Sequence, residues 1–537
     1  MKKLTYIDLF CGCGGFSLGM ERAGFSCLAA VDFNSEAMTV FKANFPQIQN
    51  ALENDLTAFD PQELAKLIQT KEVDVIVGGP PCQGYSTVRQ SDGSNNGPRM
   101  IEDKRRHLYR EFLRFVGFFQ PKVFVMENVL GLKSAAGGKY FSMVQKEARK
   151  MGYRVHAKVE RALDLGVPQK RQRQLIIGTR LDLPEYFSGD LEPAPCAVKN
   201  PTLGEAICDL PPVRAGGGEE ESDYDMERRK AHVAKYGRRY IYETLEVQYA
   251  VKLTSHKARP HSDRDLGDFS KLHEGEHCAA AMKRGEKFDF PYDKKTFKDR
   301  YTRQHRDKPC STIVAHLSKD GLMFVHPTQN RSLTPREAAR VQSFPDWFQF
   351  PVARTHQFRV IGNAVPPLVA EAIALATKFY LEKTMKMKKT IRFGLGPLPA
   401  GHQEALKWLL ELVKHSENNA IRRVSANDFK RGWYSVAFLY PGLHPDSALE
   451  HGDELSSHMG DFPEIQKVEP RLLAPYYAQS GWPVILAPVA KEAWRRYEAG
   501  ELKDDEFYCS EAVIAGMCFR SPDLMEEVRE ERMKVFA

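Results

Sequence analysis

Over the first 180 residues, apolar runs rich in β-branched side chains alternate with segments of helical length. Leu4 to Phe10, Leu28 to Val31, Val73 to Val77, Val123 to Met126 and Leu175 to Ile177 read as strands, and the alternation predicts a doubly wound α/β domain. From about residue 200 to 298 the texture changes to charge, glycine and turn residues, Gly216-Gly217-Gly218 and Arg238-Arg239-Tyr240 among them, which predicts a loop-rich insertion. Order returns between Pro327 and Pro367. There Thr334 is placed to cap a helix running to Val341, with Pro335 at its first position and Glu337 three residues after the cap. Another helix is expected from about Leu368 to Lys383. The run Met385 to Lys389 reads as a junction to a separate α+β domain. Within that domain, Leu406, Leu409, Leu410 and Val413 give His402 to Val413 helical core spacing, and Val484 to Leu486 is a buried-strand candidate. The expected plan is therefore 1–199, an insertion at 200–298, a return at 299–384, and an accessory domain at 385–537.

Composition narrows the setting. A chain of 537 residues exceeds one ordinary core. It is 42% hydrophobic and 27% charged, and no apolar run approaches the roughly 18 to 20 residues of a membrane span, so no membrane partner is expected. Lys2 and Lys3 lead directly into the first strand, unlike a signal peptide. The ten cysteines are scattered without a CxxC pair, which predicts reduced thiols and a cytoplasmic setting. Lys and Arg outnumber Asp and Glu by 77 to 70, a surplus compatible with nucleic acid but too small to demand it.

The candidate chemistry is local. Residues 78 to 86 read Gly-Gly-Pro-Pro-Cys-Gln-Gly-Tyr-Ser, a stiff loop after a strand that holds the backbone of Cys82, and Glu127-Asn128-Val129 follows another strand. A thiolate paired with one carboxyl group suits covalent attack on a heterocyclic ring; the plainer alternatives are a buried small hydrophobe and a structural carboxylate. The first strand enters Cys11-Gly12-Cys13-Gly14-Gly15, a turn that lets a ligand approach backbone N–H groups. Asp32, twenty residues after Gly12, is placed to accept ribose hydroxyls, Phe33 to flank an adenine, and Asp55 to accept from an adenine amino group. A nicotinamide cofactor would satisfy this much, and a ligand-free turn is equally consistent. Gln169, Arg171 and Arg173 alternate along an extended segment, so all three should share a face. His273 and His277 have helical i, i+4 spacing beside Cys278, yet no further ligand pattern supports a metal site.

Taken in order, Phe10-x-Gly12-x-Gly14, Pro81-Cys82, Glu127-Asn128-Val129, Gln169-x-Arg171-x-Arg173 and Gly362-Asn363-x-Val365 resemble the DNA (cytosine-5) methyltransferase family over residues 4 to about 380. The resemblance implies a Rossmann-like sheet and S-adenosylmethionine held by Phe10, Gly12, Gly14, Asp32, Phe33, Asp55, Pro81, Leu108, Asn363 and Val365. Cys82 would add to C6 of a cytosine, with Glu127 at N3. Arg171 and Arg173 would reach into the site, and Gln169 would line the substrate. The base must be flipped from the duplex. Residues 200–298 occupy the position of the family's target recognition domain, so Arg228, Arg229, Lys235, Arg238, Arg239 and Tyr240 are candidate phosphate or base contacts. Double-stranded DNA is the implied partner of a monomeric enzyme, with a restriction endonuclease of the same specificity or an orphan regulatory role. The Cys-Phe-Thr signature of tRNA-directed relatives is absent. A nicotinamide oxidoreductase leaves Cys82, Glu127 and the arginines unexplained, and a silent DNA binder leaves both Cys82 and Glu127 without a use. Residues 390–537 resemble no named family. Pro445-Asp446 with Glu464-x-Gln466 echoes a nuclease pattern that normally has Lys where Gln466 stands, so an accessory DNA-contacting or partner-binding module is the expectation.

Overall fold

The computed structural model describes residues 3–81, 108–134, 138–180, 183, 187, 189–289, 301–319 and 321–386. Cys82 and the elements expected in 390–537 lie outside the described residues. Strand β1 (Thr5–Leu9) leads through α1 (Gly15–Arg22) to β2 (Ser26–Asp32), α2 (Ser35–Asn44), β3 (Ala51–Glu53), α3 (Pro61–Leu67) and β4 (Val75–Gly78). Then follow α4 (Leu108–Phe119), β5 (Val123–Asn128), α5 (Gly131–Ser134), α6 (Lys139–Lys150), β6 (Tyr153–Arg161) and β7 (Gln172–Arg180). The seven strands form one sheet in the order β3-β2-β1-β4-β5-β7-β6. Pairing is parallel from β3 through β5. Successive strands step from β1 outward to β2 and β3, and then back past β1 to β4 and β5. That reversal opens a crevice beyond the carboxyl ends of β1 and β4, where doubly wound sheets bind ligands.

All five expected strands are present. Asp74 starts β4 late because its carboxylate accepts from the Thr5 amide at 2.8 Å and the Thr5 hydroxyl at 3.1 Å, tying the strand to the foot of β1. Strands β3 and β6 were not expected: β3 has three residues, and β6 is half-buried along most of its length, with Arg154, Lys158 and Glu160 interrupting its apolar positions. The central strands β4 and β5 are buried at every position, which is why they read as unbroken apolar runs. Helix α4 buries Tyr109, Phe112, Leu113, Phe115, Val116 and Phe119, the i, i+3, i+4, i+7 stripe of a helix packed on one face.

Beyond the sheet come α7 (Leu203–Ile207), β8 (Glu221–Ser222), α8 (Met226–Tyr236), β9 (Leu253–Thr254), α9 (Asp263–Ser270), α10 (Cys278–Lys283), α11 (Pro335–Val341), α12 (Arg354–Asn363) and α13 (Pro367–Lys386). The capping box of α11 is formed as the sequence predicts, with Thr334 Oγ1 accepting from the Glu337 amide and the Glu337 carboxylate accepting from the Thr334 amide. Helix α13 runs past the expected end at Lys383 and into the first two residues of the expected junction, to Lys386. The apolar window within Arg354–Thr384 is long enough for a membrane span, but 83% of it is buried inside the protein, as in a core helix.

The expected border at 200 is not a border of the core. Leu203, Ile207, Leu210, Tyr240, Ile241, Leu245 and Leu253 share one cluster with Phe41 and Phe45 of the first domain and with Phe344 and Phe348. A second, smaller core joins Phe269, Leu272, Cys278, Ala281, Phe288, Tyr301, Leu322 and Val325, and it crosses the expected border at 298. Charge and glycine marked the surface of this stretch while its sparse apolar positions did the packing. The chain divides into two compact units. Met1–Tyr140, His156–Ile177 and Ser188–Leu381 make the first; Phe141–Val155, Gly178–Phe187 and Glu382–Ala537 make the second, within which Arg154 Nη2 donates to the Leu183 carbonyl at 2.6 Å. Every site residue described below belongs to the first.

Candidate active site

The glycine turn after β1 is built by left-handed backbone. Phe10, Gly12 and Gly14 have φ of 59°, 56° and 92°. For Phe10 that conformation costs on the order of 1 kcal/mol or more, so neighbours must hold it. Asp32 does much of the holding: Oδ2 accepts from the Gly12 amide and Oδ1 from the Asn34 amide, both at 2.9 Å. Burial raises its pKa despite these bonds. Asp32 is thus a staple between the turn and the end of β2, and any ribose contact must use lone pairs that the amides leave. The two turn glycines differ. A Cβ on Gly12 would meet nothing within 4 Å among the described residues, whereas one on Gly14 would come within 2.4 Å of the Phe45 ring. Gly12 therefore faces open space in which a ligand fits, and Gly14 is small because α2 packs on it. Phe33 is 62% exposed, an aromatic face offered to solvent. Asp55 is exposed, with Oδ1 accepting from the Thr57 amide and hydroxyl at 2.9 and 2.8 Å.

The far wall comes from the turn at the end of α12. Asn363 is exposed between buried Gly362 and Ala364, and Val365 follows. The Val365 carbonyl lies 2.2 Å from where a Gly15 Cβ would be, so this turn sits directly on the start of α1. Leu108 begins α4 half-buried, and Pro81 is the last described residue before Cys82. Burial pushes the Cys13 thiol up to about 12 and raises that of Cys11 too, so both behave as inert small hydrophobes flanking Gly12.

The described catalytic candidates lie at the end of β5 and the start of β7. Glu127 is 8% exposed, and its Oε1 forms an ion pair with Arg173, 2.6 Å from Nε. Its Oε2 lies 3.5 Å from the position of a Gly79 Cβ, alongside the Gly78-Gly79-Pro80-Pro81 turn. Asn128 Nδ2 donates to the Pro80 carbonyl at 3.2 Å, and Asn128 Oδ1 accepts from the Val129 amide at 2.9 Å. Glu127-Asn128 therefore grips the turn that leads into Cys82.

Two expected site residues have other work. Gln169 is wholly buried: Nε2 donates to the Val341 carbonyl and Gln342 Oε1, and Oε1 accepts from the Ile313 amide. With both ends engaged and no exposed surface, it does not line a substrate. Arg171 shares that inward face, as the alternation predicts, and is 1% exposed. Its guanidinium donates to the carbonyls of Ile313, Gly362 and Ala364, so its described bonds tie backbone together instead of opening into the crevice.

The expected nucleic-acid contacts divide in the same way. Arg238 and Arg239 are exposed; Arg238 lies over the Tyr242 ring, and Arg239 pairs with Glu243 at 3.0 Å while donating to the Pro195 carbonyl. Lys235 is exposed as well, and half-buried Arg228 donates to the Cys208 carbonyl at 3.0 Å. Arg229 and Tyr240 are buried, Arg229 stacking on Tyr224 and Tyr240 donating its hydroxyl to the Arg340 carbonyl, so neither reaches a duplex. His277 accepts from the Ala280 amide as the cap of α10.

Sequence reasoning missed the arginines of α11 and its approach. Arg331, Arg336 and Arg340 are at most 1% exposed. Arg331 makes two 2.7 Å bonds to the Glu337 carboxylate, Arg340 bridges Asp209 and Asp346, and Arg336 reaches Thr254 and the Phe348 carbonyl. Arg331 holds the Glu337 carboxyl far below the usual range, and burial pushes His326 down to about 3. Nothing in the local sequence announced their burial.

Comparisons with known proteins agree on one family. A family profile described as C-5 cytosine-specific DNA methylase matches residues 4–378. Type II methyltransferase M.DdeI of Desulfomicrobium norvegicum is 35% identical over 394 residues, covering 71% of this chain and 89% of its own. Type II methyltransferase M1.HphI of Haemophilus parahaemolyticus is 37% identical over 377 residues, covering 70% and 86%. A crystal structure described as a DNA modification methyltransferase encoded within a prophage (E. coli) superposes with a TM-score of 0.55 at 27% identity, covering 71% of this chain and all of that one. With its parallel sheet, its glycine turn and its Glu127–Arg173 pair, this chain belongs to the C-5 cytosine-specific DNA methylase family and is a DNA cytosine methyltransferase.

Proposed function

We propose that this chain methylates C5 of a flipped-out cytosine in a specific double-stranded DNA sequence, with S-adenosylmethionine as donor and a transient bond between the Cys82 sulfur and C6. The observation that carries the reading is the Arg173–Glu127 pair beside the Pro80-Pro81 turn that enters Cys82. S-adenosylmethionine, when bound, supplies an electrophilic methyl group on a sulfonium. The open side of Gly12, the exposed Phe33 ring and Asp55 form its cradle, with Phe10, Asp32, Pro81, Leu108, Asn363 and Val365 around them and Gly14 supporting the turn. Addition of the Cys82 thiolate to C6 pushes the ring's π electrons toward C5 and makes that carbon nucleophilic. Glu127 hydrogen-bonds or protonates N3, so negative charge does not accumulate on the ring, a role typically contributing about 100- to 10,000-fold. Arg173 fixes the orientation of that carboxylate. After methylation a base takes the C5 proton, the C5–C6 double bond re-forms and the sulfur departs.

Residues 200–298 are the segment we assign to reading the flanking bases, with Arg238 and Arg239 exposed on it. The type II relatives support a protective role beside a restriction endonuclease of the same specificity. The test is base-resolution 5-methylcytosine sequencing of DNA from a methylation-free host expressing the chain or its Cys82→Ser variant. One recurring methylated motif, lost in the variant, is expected. Methylation that persists in Cys82→Ser removes the thiol from the mechanism.

A further inference from the structure

The cofactor-side turn and the catalytic strand are joined by buried side chains that never face the crevice. Gln342 follows α11 and is fully buried. Its Nε2 donates to the carbonyls of Ile361 at 2.6 Å and Ala364 at 3.3 Å, bracketing Asn363, and its Oε1 accepts from Gln169 Nε2 at 2.6 Å. Gln169 is anchored in turn through the Ile313 amide at 3.0 Å. Two residues along the chain, Arg171 returns to the same turn, with Nη2 donating to the Ala364 carbonyl at 2.9 Å. Two residues further, Arg173 meets Glu127 at 2.6 Å. The Ala364 carbonyl thus accepts from both Gln342 and Arg171, and the side chains of 169, 171 and 173 hang from one extended segment. In so dry a setting, every donor must keep its acceptor, so displacing the turn breaks bonds unless the segment moves with it.

We infer that Gln342 is a positioning residue that couples cofactor binding to methyl transfer, by holding the Asn363–Val365 turn in register with the strand that delivers Arg173 to Glu127. This rests on the function proposed above, because it takes that turn as the cofactor wall and Glu127 as the group at the base. The side-chain amide of Gln342 is specific about which end does what. Gln342 grips the turn through its two donated bonds and the strand through its one accepted bond.

Gln342→Met preserves length and apolar burial and removes all three bonds. Two quantities separate coupling from simple packing: the Kd for S-adenosylmethionine without DNA, and the single-turnover rate of methyl transfer at saturating cofactor and DNA. Both are expected to worsen, each by about tenfold, the scale of losing buried hydrogen-bond partners. A variant that loses thermal stability alone, with Kd and saturating rate each within about twofold of the parent, overturns the inference. So does one that loses affinity but keeps the full saturating rate. Should Gln342→Met fail to fold, Gln342→Glu retains the acceptor for Gln169 and removes the donors to the turn, and the same two readouts apply. The unsubstituted chain assayed alongside separates the failures. If it transfers no methyl group, the proposed function falls; if it transfers normally and the variant matches it, only the coupling does.

Discussion

The crevice and the α11 hub hold the same kinds of charged residue under different conditions. In the crevice, Arg173 and Glu127 pair at 2.6 Å with side chains 15% and 11% exposed. In the hub, Arg340 sits between Asp209 and Asp346 with none of the three exposed. A buried pair owes its geometry to the absence of water and contributes to stability mainly by not being broken; a pair at the edge of water can release a partner to a substrate. Exposure thus separates charges that hold the fold from charges available to chemistry. Removing one partner from each tests that division. Arg340→Ala removes the closest cationic partner of two buried carboxylates, leaving Asp346 with Tyr224 and Asp209 with Arg229 at 3.5 Å, and should lower unfolding stability by about 3–5 kcal/mol in denaturant titrations. Arg173→Ala should cost only about 1 kcal/mol, because Glu127 keeps some solvent, yet slow methyl transfer by roughly 100-fold or more through the loss of carboxylate orientation. Equal stability losses in the two variants would erase the distinction.

The two turn glycines sharpen it on a smaller scale. Gly14→Ala would press a Cβ to 2.4 Å from the Phe45 ring at a φ of 92°, so overpacking adds to backbone strain. A loss of about 1–3 kcal/mol in unfolding stability is expected. Gly12→Ala meets nothing within 4 Å among the described residues. Its left-handed φ should cost about 1 kcal/mol, while the new methyl group enters the space we assign to the cofactor and should raise its Kd more than Gly14→Ala does. Calorimetric titration of both variants checks the contrast. A Gly12→Ala variant with parental affinity would place the cofactor elsewhere.

How far the sequence carried the reading follows from what each signal depends on. Strands β2, β4 and β5 were legible because buried parallel strands carry unbroken apolar runs, β1 because only Thr5 and Asp8 interrupt its run, and the α11 cap because its capping box is local. Family motifs led to Glu127 and Arg173, which the fold then paired. Gln169 and Arg171 belong to the same motif, but which polar side chain turns inward depends on carbonyls at 313, 341, 362 and 364, more than a hundred residues away. Arg336 and Arg340 fell within the expected helix but were not singled out, since the partners of Arg340 include Asp209 from a stretch that reads as surface loop. Burial of charge is set by long-range pairing, which no window of sequence displays.

The smallest effect concerns the floor of the crevice, where Asp8 is fully buried beneath the glycine turn. Its Oδ2 accepts from the Ser17 hydroxyl at 2.6 Å, and its Oδ1 has no hydrogen-bond partner among the described residues. Burial, with a further contribution from the charge of Asp32, raises its pKa to about 7, against the bond from Ser17. In the unfolded chain this carboxyl ionises near pH 4. Between those values the folded protein binds the extra proton, so the stability Asp8 contributes is fully present below about pH 4 and is lost as pH rises through about 7. Glu337 in the hub has the opposite sign: its carboxyl is held far down by Arg331, so its stabilisation is present above the ordinary carboxylate range and is lost as pH falls. Asp8→Asn keeps the size and an acceptor for Ser17 without a titrating proton. Denaturant unfolding from about pH 5 to 8 should therefore show a flatter decline on the neutral side in the variant than in the parent. Identical slopes would mean that Asp8 carries the same charge folded and unfolded. The floor of the crevice would then tolerate a buried charge as the hub does, and burial alone would no longer distinguish the two regions.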